Sequence, residues 1–173
     1  QNARVDYLTF NHFVDFSDGA RGVTISNGDS PYFRLGDSTP TVLDDASPVL
    51  RAVVGMQVDG PQLGIPAQGG DRAFLDRFAL RTHGAWDPAA AMRMALEHQN
   101  PLIAAPVTGN ALAPLPEATW SLLSIDSGDV LLWALKPAEE GIDHGIIARV
   151  WNLADSARTL SLTLPTGSIR SAL

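Results

Sequence analysis

With no Cys in the chain, His, Asp and Glu are the only strong metal ligands, so metal coordination is the first chemistry to consider. The four histidines, His12, His83, His98 and His144, lie far apart, and no two stand at the short spacing of a local chelate. They read as structural or surface residues. Asp126-Ser127-Gly128-Asp129 has two carboxylates of a calcium loop but neither the alternating oxygen ligands nor the closing bidentate Glu, so it reads as a hairpin turn. Nucleophilic catalysis has little to work with. There is no Gly-x-Ser-x-Gly elbow, no Cys nucleophile, and no His near Ser121, Ser124 or Ser127. The adjacent acids Asp44-Asp45 and Glu139-Glu140 read as exposed turns rather than as a glycosidic pair, whose spacing is spatial and not sequential.

Sugar binding asks for exposed aromatic faces beside planar polar groups. Trp120, Trp133 and Trp151 sit within apolar runs and read as core, whereas Trp86 stands just ahead of a helix cap and is the freest of the four. The segment Gln68-Gly69-Gly70-Asp71-Arg72 differs in kind. Its two glycines let the backbone approach a partner closely, with an amide, a carboxylate and a guanidinium alongside. Gln68, Asp71, Arg72 and Trp86 are therefore the candidate substrate-binding residues, weighed against a plain flexible connector.

The elements that must carry these residues are mostly strands. Short β-branched or aromatic runs recur, each closed by Gly, Asn, Asp or Pro. Residues 10–16 alternate, 23–26 end at Asn27-Gly28 and are expected to pair with 32–35 through a tight hairpin, and 74–83 alternate again. Residues 49–58 and 130–135 are apolar almost throughout, as in strands covered on both faces. Two further hairpins are expected, 120–125 with 130–136 and 145–152 with 158–164. A single helix stands out from Pro88: Asp87 caps it, Pro88 occupies the first turn, Met92, Ala95 and Leu96 form its apolar stripe, and Asn100-Pro101 ends it. About nine or ten strands and one helix indicate a mainly β chain, an antiparallel β-sandwich of the supersandwich type. Residues 106–116 hold three prolines and read as a crossing loop.

At 173 residues the chain fits one domain spanning 1–173, long enough to bury a core without a metal or disulfide staple. A formal charge of −7 and a single lysine, Lys136, argue against a nucleic-acid partner, which needs clustered cations. No apolar run approaches the roughly 20 residues of a membrane span. Gln1 is not an initiator Met and the last residues stop in mid-pattern, so the chain reads as a fragment of something longer. The lack of Cys and of Asn-x-Ser/Thr sequons fits a bacterial cytoplasmic parent.

Several stretches, in order, resemble the C-terminal β-domain of family 38 glycoside hydrolases, the α-mannosidases. They are the run from Asn11-His12-Phe13-Val14-Asp15-Phe16 through Gly22-Val23-Thr24-Ile25-Ser26-Asn27, then Phe78-Ala79-Leu80-Arg81-Thr82-His83-Gly84, Trp86-Asp87, and Glu97-His98-Gln99-Asn100-Pro101-Leu102. Leu135-Lys136-Pro137 and Arg149-Val150-Trp151-Asn152 follow. The resemblance implies a parent enzyme that hydrolyses α-mannosidic bonds with retention, using a carboxylate nucleophile and a zinc ion held on an N-terminal catalytic domain. Nothing in this chain resembles that domain. It implies further that this chain is inactive alone, contributes no catalytic or metal residue, and packs on the catalytic domain of the same polypeptide, with a mannose-containing saccharide as a possible ligand at a cleft wall. A carbohydrate-binding module and a structural interaction domain are the alternatives.

Overall fold

The structure, a computed structural model, describes residues 4–30, 32–54, 73–106 and 119–172. It holds nine strands and one helix among them: β1 (Phe13–Ser17), β2 (Gly22–Asn27), β3 (Phe33–Leu35), β4 (Leu50–Ala52), β5 (Phe78–His83), α1 (Pro88–Gln99), β6 (Ser124–Ile125), β7 (Val130–Ala138), β8 (Gly141–Asn152) and β9 (Leu162–Thr163). All strand pairs are antiparallel, so the chain is mainly β with one helix, as its sequence pattern indicates. The strands form four small sheets distributed over two compact units, Gln1–Pro101 and Leu102–Leu173.

In the first unit β1, β2 and β5 form a sheet in the order β1-β2-β5, and α1 packs on it. The register aligns Asp15, Thr24 and Arg81 in one row and Phe13, Ser26 and Ala79 in another on the same face. That face meets the helix: Arg81 donates to the Ala90 carbonyl at 3.3 Å, and Ser26 Oγ is hydrogen-bonded to His98 Nδ1 at 3.0 Å. Thr24 and Ser26 are buried there. The helix contributes small residues, Ala89, Ala91 and Ala95, with Met92. Small side chains bring its backbone close enough for side-chain hydrogen bonds to cross the interface. The opposite face carries Val14, Ile25 and Leu80, and Leu80 is 68% exposed.

The helix ends where local chemistry places them. Asp87 Oδ1 accepts from the Ala90 amide at 2.9 Å, and Asn100 donates from its backbone (2.9 Å) and its side chain (2.8 Å) to the Leu96 carbonyl. Gln99 then ties the last turn to the sheet. Its Nε2 donates to the carbonyls of Asn11 and Asn27, both at 2.7 Å, which makes Oε1 the acceptor for His12 Nδ1 at 2.7 Å.

Residues 32–35 do not pair with β2. β3 pairs instead with β4, and Leu8 bridges to Phe33. The reason lies in the Asn27 side chain, whose Oδ1 accepts from the amides of Asp29 and Ser30 and so builds a turn that leads out of the sheet. Phe33 is the centre of this part, fully buried and stacked on Phe10 at 4.1 Å with Phe78 edge-on at 6.3 Å. The run expected at 49–58 is regular only over β4, and Val49 and Val54 are exposed rather than covered; residues 55–58 lie outside the described set. So do 107–116 of the expected Pro-rich loop.

In the second unit the pairing expected from sequence is exchanged. β7 pairs with β8 and β6 with β9. The long ribbon closes at Glu139-Glu140 with Gly141 at φ +113°, a left-handed conformation glycine adopts at little cost, while Asp126 joins Ser161 through its carboxylate (2.7 Å) and its amide (3.4 Å). A register shift between Leu132 and Ala134 leaves Trp133 as the bulged residue, and its ring meets Trp151 edge-on at 4.9 Å. Leu160, Leu162 and Leu164 are half-buried while Ser161 and Thr163 are exposed, the alternation their sequence predicts.

Candidate functional site

At the end of β5 the first unit holds a largely buried cluster of a carboxylate, a hydroxyl and an imidazole. The register of β1, β2 and β5 brings Asp15, Thr24 and His83 together although Asp15 and His83 are 68 residues apart. Asp15 Oδ2 accepts from Thr24 Oγ1 at 2.6 Å and from His83 Nε2 at 2.8 Å. His83 Nδ1 faces the Gly84 carbonyl at 2.9 Å. The side chains of His83 and Asp15 are only 14% and 10% exposed. The ring lies across Gly22: a Cβ there would sit 2.6 Å from His83 Cε1. Trp86 closes the group, 6.0 Å from both the His83 and the Phe13 ring centroids.

The Asp15 hydrogen bond comes first among the forces that raise the His83 pKa above its ordinary value, the Gly84 carbonyl adds to it, and burial opposes them. Both ring nitrogens face acceptors, so the arrangement fits an imidazolium. It does not fit a nucleophile–base–acid relay, in which imidazole takes the proton of the hydroxyl. Here the hydroxyl and the imidazole both donate to one carboxylate oxygen, and Thr24 is 2% exposed. The group ties three strands together.

A recess of about 260 Å³ adjoins it, lined by Thr24, Arg81, Thr82, His83, Gly84, Ala85, Asp87, Ala90 and Ala91. A wider depression of about 490 Å³ runs from Asp15 to Ser17, Asp18, Arg21 and Asp45. Two of its carboxylates, Asp15 and Asp18, have work already. Asp18 accepts from the amides of Ala20 and Arg21, which lower its pKa, as Arg77 lowers that of Asp29 to about 2 through a paired guanidinium contact.

Of the residues singled out by sequence, Trp86 is 43% exposed beside His83, while Gln68, Asp71 and Arg72 lie outside the described residues. Trp120, Trp133 and Trp151, expected in the core, are 46%, 40% and 41% exposed. Trp133 lies on β7 and Trp151 on β8, a two-stranded ribbon that has too few neighbours among the described residues to cover both faces. Asp44, expected on a solvated turn, is half-buried and knits its loop by accepting from the Asp37, Ala46 and Ser47 amides. Glu139 and Glu140 do form an exposed turn, with Lys136 paired to Glu139. In the segment read as a turn, Asp126 is held by Ser161 and Asp129 pairs with Arg158 at 2.7 Å. Among the described residues no three His, Asp or Glu side chains converge as a metal site would require. Among the same residues no helix is long and apolar enough to cross a membrane.

The chain matches no family, no curated protein and no solved structure.

Proposed function

We propose that the chain is a non-catalytic β-domain of a longer α-mannosidase-like glycoside hydrolase, and that it packs on the catalytic domain of the same polypeptide through the β7–β8 ribbon. One observation carries the packing role. Leu132, Trp133, Leu135, Ile146, Ile147, Val150 and Trp151 are all at least 37% exposed on two paired strands. Along β8, Ile146 and Val150 alternate with Ile147 and Trp151, so both faces of the ribbon are apolar. A two-stranded ribbon is marginal in water unless a face is covered, and a contiguous apolar patch of this kind marks an interaction surface. The ordered resemblance in sequence supplies the family, and Gln68, Asp71, Arg72 and Trp86 remain the proposed contribution to a sugar cleft.

The expressed chain is expected to leave aryl α-mannosides intact and to associate in sedimentation runs, and Ile146→Glu with Val150→Glu is expected to abolish the association. A chain that stays monomeric at high concentration without those changes would sink the packing role. Coding sequence upstream of Gln1 without a metal-binding Asp and His set would sink the family assignment. Measurable calorimetric binding of mannose oligosaccharides, lost in Trp86→Ala, would favour a carbohydrate-binding module. In the parent enzyme, Arg72→Ala with unchanged kcat/KM would remove the cleft-wall role and leave the packing role standing.

A further inference from the structure

His83 is held in a way that only one of its protonation states satisfies. Its Nε2 lies 2.8 Å from the Asp15 carboxylate and its Nδ1 2.9 Å from the Gly84 carbonyl. Neither partner has a hydrogen to give in return when Asp15 is ionised, so both ring nitrogens must donate. A neutral ring has one N–H and would set a lone pair against one of the two oxygens. The ring cannot sidestep easily, because it is packed against Gly22, where even a methyl group would collide, and beside Trp86.

We propose that His83 is a proton-operated clasp. As imidazolium it ties the end of β5 to β1 and holds the 84–87 turn; as the neutral ring it releases that turn, and with it Trp86 and the capped start of α1. The chemistry of the surroundings isolates the pair. From β1 comes Asp15, and beyond it Asp18, which is occupied by the Ala20 and Arg21 amides. From β2 come Gly22 and the Thr24 hydroxyl, which keeps Asp15 hydrogen-bonded in either state. On β5 itself Arg81 reaches the Ala90 carbonyl, and at the head of α1 Asp87 is occupied by the Ala90 amide. Asp15 is thus the charge that answers His83. With the folded-state pKa raised, the clasp is closed below that raised value and opens as pH rises through it.

The released turn borders the recess of about 260 Å³ and carries the half-exposed Trp86, so the clasp governs the shape of that recess and the placement of the one sequence-selected candidate residue that the structure describes. The proposal stands whether or not the chain belongs to a mannosidase.

Long-range ¹H–¹⁵N correlation spectra of the whole chain read the ring directly. Both His83 nitrogens are expected to be protonated at about pH 6, and the midpoint at which one proton leaves is expected to fall in Asp15→Asn. The Trp86 indole resonance is expected to shift with the same midpoint, and to become insensitive to pH over that range in His83→Gln, which retains a donor but does not titrate. A neutral single-tautomer His83 ring at about pH 6 in the unaltered chain overturns the clasp. So does a Trp86 resonance that stays still while His83 titrates, a result that needs no variant to fold.

Discussion

Replacing Phe33 by Ala removes the only large apolar side chain that the described residues bury completely. Phe33 is 0% exposed, stacked on Phe10 at 4.1 Å and met edge-on by Phe78 at 6.3 Å. A buried Phe removes roughly 150–250 Å² from water, worth about 4–6 kcal/mol at ~25 cal/mol per Å² as an upper bound. Ala keeps part of that area, while the cavity left between two rings adds to the loss, so the expected cost is about 3–5 kcal/mol. Against a typical total of about 5–15 kcal/mol this takes a large share of the stability. Leu80 is the internal control: it is 68% exposed on the far face of the β1-β2-β5 sheet, and Leu80→Ala should cost under about 1 kcal/mol. Urea unfolding followed by far-UV circular dichroism gives both values with the same slope if only stability changes. Phe33→Ala costing less than about 1 kcal/mol, or Leu80→Ala costing as much as Phe33→Ala, would show that the core has been misplaced.

Three further outcomes follow from the same geometry. Gly22→Ala places a methyl 2.6 Å from both His83 Cε1 and Ser17 Cβ, so it should cost about 1–3 kcal/mol and shift the His83 ring resonances, whereas Gly128→Ala, whose added Cβ meets nothing within 4 Å, should be near neutral. Asp87→Ala deletes the acceptor for the Ala90 amide and should lower stability by about 1 kcal/mol, with Asp87→Ser restoring most of it; equal melting temperatures for all three chains would refute the capping role. Asp29 is depressed from 3.8 to about 2 by Arg77, so the pair's contribution is present above pH 3.8 and is lost as pH falls through about 2. The melting temperature of Arg77→Met should accordingly lie below that of the unaltered chain at pH 5 and converge with it toward about pH 2; a constant difference would show that the pair acts through packing instead.

What the sequence determines by itself is local. The boundaries of α1 were legible because Asp87, Pro88 and Asn100 act on amides and carbonyls within four residues of themselves. The antiparallel β class was legible from the 2-residue alternation. What the tertiary structure decided is non-local. The exchange of partners that joins β7 to β8 and β6 to β9 could not be read from four strands of similar apolar character, because each turn segment was compatible with either hairpin and the choice lay in the Gly141 conformation and the Asp126–Ser161 contact. The site follows the same logic. Trp86 could be singled out from its place ahead of the helix, but nothing in the chain announced Asp15 and His83, which have no shared motif and meet only because β2 sets both its neighbours in register. Gly22 likewise reads as an ordinary strand-end glycine until the imidazole is seen lying across it. Patterns of 2 and 3.6 residues record how a segment faces water, whereas pairing depends on which distant segment removes the most apolar surface and satisfies the most hydrogen bonds, a quantity no single segment carries.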